Sequence, residues 1–219
     1  MSMLKKHWVV LGLFLLAPVA LAEDDAEGGS KSFDVLGGFT FDKGQSAIQV
    51  GIGQPGLETK FSYGISSKFN VGGLLALNWG EPADFVLRMQ APIRYSFYDS
   101  GKLGLAAGVS VGIGLWFGSA AGTAVTIPLH MDFSSSYRVS KELSVLAAFE
   151  IPLELWTKSQ FNMFIPLVAS AGLEYYLSPK LKLWSRLRSG HTFTVRAKDN
   201  WLWASGFGGS FHVGAALVL

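Results

Sequence analysis

The chain reads as an all-β protein, a transmembrane antiparallel up-and-down β-barrel of about ten strands, with eight to twelve open. Three observations point there. First, residues 84–98 alternate without a break: Phe85, Leu87, Met89, Ala91, Ile93, Tyr95 and Phe97 fall on one face. Val86, Arg88, Gln90, Pro92, Arg94 and Ser96 fall on the other. A period of two sends alternate side chains to opposite faces of a strand. Second, charged residues make up only 16% of the 219 residues, against roughly 25% in soluble domains. Third, turn signals recur at short, regular intervals along the chain.

The N-terminus carries the three parts of a secretory signal. Lys5 and Lys6 make a basic start, residues 9–16 are apolar, and Ala20-Leu21-Ala22 offers small residues for cleavage. We expect cleavage after Ala22 and an acidic periplasmic segment at 23–31. No cysteine lies near that site, which excludes a lipid anchor there. An uncleaved membrane helix fits less well, because the apolar run is short for a bilayer span. Cleavage takes Lys5 and Lys6 from the 18 basic residues and none from the 16 acidic ones, so the remaining chain is neutral. A neutral chain has no basic footprint for nucleic acid. With no cysteine at all, disulfides and thiolate metal sites are excluded.

The barrel is expected over 32–219. Residues 32–41 alternate through Phe33, Val35, Gly37, Phe39 and Phe41. They can pair at the rim, tuck into the lumen, or belong to a twelve-stranded version with an extra hairpin near 198–203. Beyond them, strands are expected at 45–53, 58–66, 69–79, 84–98, 103–117, 122–138, 143–156, 160–177, 181–195 and 203–219. Four short turns separate them in pairs, at 66–68, 99–102, 139–142 and 177–180, each close behind a tyrosine (Tyr63, Tyr98, Tyr137, Tyr176). The alternate connections follow Trp79, Trp116 and Trp156, so each end of the barrel has aromatics of its own, as at two membrane interfaces. An even count puts both termini at one end, expected to be periplasmic.

A soluble β-sandwich is the rival fold. It would need charge on its outer faces, which this composition does not supply. The second face of 103–117 reads Gly104, Ala106, Gly108, Ser110, Gly112, Gly114, which suits a crowded interior. The apolar faces therefore turn to lipid and the polar faces into a closed lumen.

The last residues carry a more specific likeness. His212 is polar, Gly214 follows two positions on, and Leu217 and Leu219 form a spaced hydrophobic pair. This resembles the C-terminal assembly signal of small bacterial outer-membrane β-barrel proteins, with Leu219 where that family commonly has an aromatic. The resemblance implies the outer membrane as location, its lipids as surroundings, and the barrel-assembly machinery as a partner during biogenesis. No named subfamily is supported.

Inward positions hold the groups that could carry chemistry: Arg88, Arg94, His130, Asp132, Glu150, Glu154, Glu174, Lys182, Arg186 and Arg188. Glu150 and Glu174 are expected to reach Arg186 or Arg188. Such charges fill a narrow lumen as satisfied pairs, or form a constriction that selects small solutes. No catalytic group, cofactor or metal is assigned. The alternative is a membrane-embedded lipid-modifying enzyme using His130 and Asp132, with Ser134 or Ser110 as nucleophile. Pro92, Pro128, Pro152 and Pro166 also face inward, three of them in repeated Ile-Pro-Leu runs. Within a strand they mark bulges that curve the wall, or a lateral opening between strands.

Overall fold

The computed structural model describes residues 34–79, 85–118, 122–156, 162–196 and 202–219. Ten strands occupy them: β1 (Ser46–Gln54), β2 (Gly56–Ser66), β3 (Phe69–Trp79), β4 (Phe85–Asp99), β5 (Leu103–Phe117), β6 (Ala124–Arg138), β7 (Leu143–Trp156), β8 (Asn162–Tyr176), β9 (Leu181–Arg196) and β10 (Leu202–Val218). Each is antiparallel to the next, and β1 pairs with β10 to close the barrel. The expected boundaries hold to within two residues. The signal peptide and the 23–31 segment lie outside the described residues.

The register sets the dimensions. Partners followed from Gly51 run through Glu58, Ala76, Arg88, Gly114, Thr126, Trp156, Asn162 and Arg196 to Leu202. The β10 partner of Gly51 across the seam is instead Gly214, twelve residues further along β10. With a rise of about 3.3 Å per residue and about 4.8 Å between strands, that offset tilts the strands by about 40° and makes a wall about 20 Å across. Strand length grows around the barrel, from 9 residues in β1 to 17 in β10.

Alternation sorts the faces as expected. Ile52, Phe61, Leu75, Met89, Ile113, Phe133, Leu187 and Val213 are exposed on the outer wall, whereas Gln49, Ser110, Ser134, Glu150 and Lys182 are buried within. A predominantly apolar exterior around a polar interior is the arrangement of a membrane barrel, since only there does the large apolar face meet a matching solvent. Tyr63, Tyr95, Tyr98 and Tyr175 ring the turn end, and Trp79 and Phe85 the other. Trp116 and Trp156 depart from the expected girdle. Both face the lumen and pack together with ring centroids 4.7 Å apart.

The turn end is built by side chains that accept backbone N–H groups. Asp99 Oδ1 accepts from Gly101, whose φ of 83° favours glycine, and Ser140 and Ser178 take the same part in the next two turns. The segment 34–41 tucks into the lumen at this end, which disposes of the pairing and twelve-strand alternatives. Val35 and Phe41 pack with Ala47, Trp184 and Ala216 in a small core inside the barrel.

Two corrections concern the wall. Bulges occur at Gly64/Ser66 and Ser96/Tyr98, not at the prolines; each proline instead sits at a gap in the ladder. Gly214, read as part of the assembly signal, also has a packing role. A Cβ there, or at its partner Gly51, would collide with the ring of Trp184. Those two glycines leave room for an indole that is 3% exposed. Gly214→Val should cost about 1–3 kcal/mol by overpacking, measured as a lower midpoint for loss of the compact, heat-modifiable form on gels. Trp184→Ala in the same chain should recover part of that loss.

Candidate functional site

Two layers fill the lumen. The lower one, at the turn end, is the plug formed by 34–41. Glu174 Oε1 accepts hydrogen bonds from the backbone N–H groups of Val35 (2.9 Å) and Leu36 (2.8 Å), while Oε2 takes the Lys182 ammonium at 3.0 Å. Lys182 also lies 3.9 Å from Asp34 Oδ1 and 3.9 Å from the Tyr176 ring centroid. Ser136 Oγ accepts from Gly38 N–H, Asn70 Oδ1 from Phe41 N–H, and Arg94 Nη1 donates to Gly37 O. Phe39 lies against Gly104, where a Cβ would come within 2.8 Å of the ring, and beneath the Arg138 guanidinium. Gly104 of β5 thus makes space for the plug.

The charges of this layer are wholly desolvated. Asp34, Glu174 and Lys182 are each at most 1% exposed, so two carboxyls share one ammonium. Burial, reinforced by the neighbouring Glu174 charge, pushes the Asp34 carboxyl up to about 6.

Above the plug lies a cavity of about 340 Å³ whose lining includes Glu58, Lys60, Arg88, Arg94, His130, Asp132, Glu150, Glu154, Arg186, Arg188 and His212. Its acids are individually clamped. Glu154 receives Arg88 Nη2 at 2.8 Å, Trp116 Nε1 at 2.8 Å and Thr126 Oγ1 at 2.7 Å. Glu150 takes Arg188 Nη2 at 2.6 Å and lies 3.3 Å from His130 Nε2, without hydrogen-bond alignment to the latter. Arg186 Nη2 bridges both oxygens of Glu58, and Arg94 lies 3.6 Å from Asp132.

All ten lumen residues expected from the sequence face inward. The expected Glu150–Arg188 pair forms, but Glu174 does not reach Arg186 or Arg188. It lies at the turn end and serves Lys182 and the plug. His130 and Asp132 are not joined: each turns to a different partner, Glu150 and Arg94, and no hydrogen bond links Ser110 or Ser134 to His130. His212 faces the cavity beside Arg186, its partner on β9. Glu58, Lys60 and Asp34 were absent from the expected network. The run Glu58, Lys60, Ser62 on alternate positions of β2 was the signal that could have found two of them.

The chain matches no family model and no curated protein. Among solved structures it resembles a KdgM porin in complex with disordered oligogalacturonate, with 9% identity over 79% of this chain and 98% of that one, at a TM-score of 0.43. It also resembles the outer membrane protease OmpT from Escherichia coli (7% identity, 80% and 95% covered, TM-score 0.42) and a NanC porin (8%, 78% and 98%, TM-score 0.41). These are distant likenesses of form; the ladder and apolar exterior of the chain itself establish the barrel.

The plug should respond to Glu174 and to pH. Removing one member of a buried pair costs about 3–5 kcal/mol, so Glu174→Ala should undock 34–41 and speed its cleavage by an added protease. An undocked Asp34 titrates near its ordinary value of about 3.9. The docked form holds its proton up to about 6, so protonation favours docking. Docking should weaken as pH rises from about 4 to about 6, and cleavage should be faster at neutral pH than at the acid end. Asp34→Asn should flatten that dependence.

Proposed function

We propose that the protein is an outer-membrane barrel whose lumen is a narrow, plugged pathway for small solutes, with a preference for anions. The supporting observation is the charge balance of the cavity. Lys60, Arg88, Arg94, Arg186 and Arg188 line it with Glu58, Asp132, Glu150 and Glu154 and with Asp34 of the plug; the first four acids are taken by the four arginines, and Asp34 lies beside Lys182. Lys60 pairs with none of the described acids. An unpaired lysine in a confined lumen, whose ammonium a bound anion would stabilise, attracts anions, as rings of charge do in selective pores. The carboxylate or phosphate of a small metabolite has the chemistry such a site accepts.

The plug supplies closure. Its backbone is held at several points around the turn end, from Glu174 on β8, Ser136 on β6 and Asn70 on β3. It therefore spans the lumen instead of lining one wall. Passage requires that 34–41 move aside. The lipid-modifying alternative draws no support from the site, because His130 and Asp132 serve separate ion pairs.

Planar-bilayer recording tests this reading. The intact protein should conduct weakly, and Glu174→Ala should raise both open time and conductance. In a salt gradient the reversal potential should indicate anion preference, and Lys60→Glu should move it toward cations. A barrel that stays electrically silent with the plug released would overturn the proposal.

A further inference from the structure

Apart from the two bulges, every interruption of the ladder coincides with a proline. Between β3 and β4 the pairing lapses where Gly72 and Gly73 face Pro92 and Ala91. Between β5 and β6 it lapses where Gly112 and Ile113 face Pro128 and Ile127. Between β7 and β8 it lapses over three positions, at 151–153 against 165–167. On its other side each proline keeps an unbroken ladder, Pro92 with Ser110, Pro128 with Glu154, Pro152 with His130 and Pro166 with Thr192. A strand residue directs its N–H to one neighbour only. In each case the donor that proline lacks is the one owed to the strand across the gap.

The third gap differs in kind. At the first two, the residue facing the proline is a glycine, which keeps its own N–H donor. At the third, the register on either side of the gap sets Pro152 opposite Pro166, each at the centre of an Ile-Pro-Leu run. Both donors of one hydrogen-bonded pair are missing, and two pyrrolidine rings occupy the space between the strands. Among the described residues this is the longest interruption of the ladder. Pro152 lies nine residues above the turn-end start of β7, about 23 Å along the barrel axis at this tilt. That is the far edge of an apolar band about 25 Å tall.

The gap is apolar on its outer face and adjoins an aromatic cluster on its inner face. Outside, Ile151, Leu153, Ile165 and Leu167 are on the lipid face. Inside, Glu150, Glu154 and His130 flank Pro152, and an aromatic cluster stands beside them, with Phe164 two residues from Pro166. Trp156 packs with Trp116 at 4.7 Å and Phe164 at 5.8 Å, beside Val86 and Ala124. Pro152 and Pro166 themselves line the cavity. A hydrocarbon chain crossing here would exchange lipid for aromatic surface at a stretch where three ladder pairs are already missing. A polar solute would gain nothing by this route.

We propose that the β7–β8 gap is a lateral entry through which the acyl chain of a membrane lipid reaches the Trp116–Trp156–Phe164 cluster inside the barrel. The entry requires that the barrel sit in a bilayer; it does not require that the lumen conduct.

Because the chain has no cysteine, the gap can be locked cleanly. Ile151→Cys with Leu167→Cys places two thiols on facing outward positions. A photoreactive phenylalanine analogue at Phe164 then reports on the lumen side, in vesicles of phosphatidylethanolamine and phosphatidylglycerol. Irradiation should yield a phospholipid adduct in the reduced protein, lose it on oxidation and recover it on reduction. A free fatty acid adduct in place of the phospholipid would identify an unesterified chain as the occupant. Pro152→Val with Pro166→Val, which restores both donors, should abolish the adduct in a barrel still heat-modifiable on gels. The same analogue at outward Ile113 should label in every state, which shows that the barrel is in lipid. Labelling at Ile113 with none at Phe164, or equal labelling at Phe164 in the locked and unlocked forms, overturns the proposal.

Discussion

In hydrocarbon each backbone N–H and C=O must find its partner within the protein, and closure of β1 on β10 meets that demand for the whole wall. The other features follow from it. Closure with a twelve-residue offset fixes the tilt and the width. The width is small enough that inward side chains from opposite walls nearly meet, so a charge placed inside must find a partner there. The same constraint makes the prolines conspicuous. A missing donor costs little at a solvated edge but is a defect in a wall with lipid on one side.

Much of this was legible before any coordinates. The period of two identified ten strands and separated Arg88, Arg94, Glu150 and Arg188 from the lipid-facing residues, because a face is a local property of alternation. The pairings were less accessible. Which acid meets which base depends on tilt and stagger, which no single strand encodes; Glu174 therefore went to Lys182 and the backbone of residues 35 and 36 instead of to an arginine. Trp116 and Trp156 were read as interface aromatics by their nearness to turns, yet their parity already placed them inside. Lys60 is harder to find, because Thr59 breaks the apolar alternation on the outer face of β2.

The lumen divides into regions of different physical character. At the turn end, charge is buried without water and serves to hold a segment of backbone. In the middle, arginines and acids cancel and leave a lysine over. Toward the other end, Trp116, Trp156 and Phe164 form an apolar lining, tied to the charged zone by the Trp116–Glu154 hydrogen bond. Glycines on β5, β1 and β10 adjust the available space, admitting Phe39 at one level and Trp184 at another.

The growth in strand length around the barrel makes the molecule lopsided in a bilayer. If the turn end is level with one membrane surface, β1 at 9 residues ends near the opposite surface, whereas β10 at 17 residues stands about 20 Å higher. Residues 202–210 of β10 rise beyond the reach of β1, with β9 alone beside them. The protein therefore presents a parapet along one side and an open threshold along the other. Anything approaching from that side of the membrane meets the mouth obliquely, over the low sill of β1–β3 and against the tall screen of β8–β10.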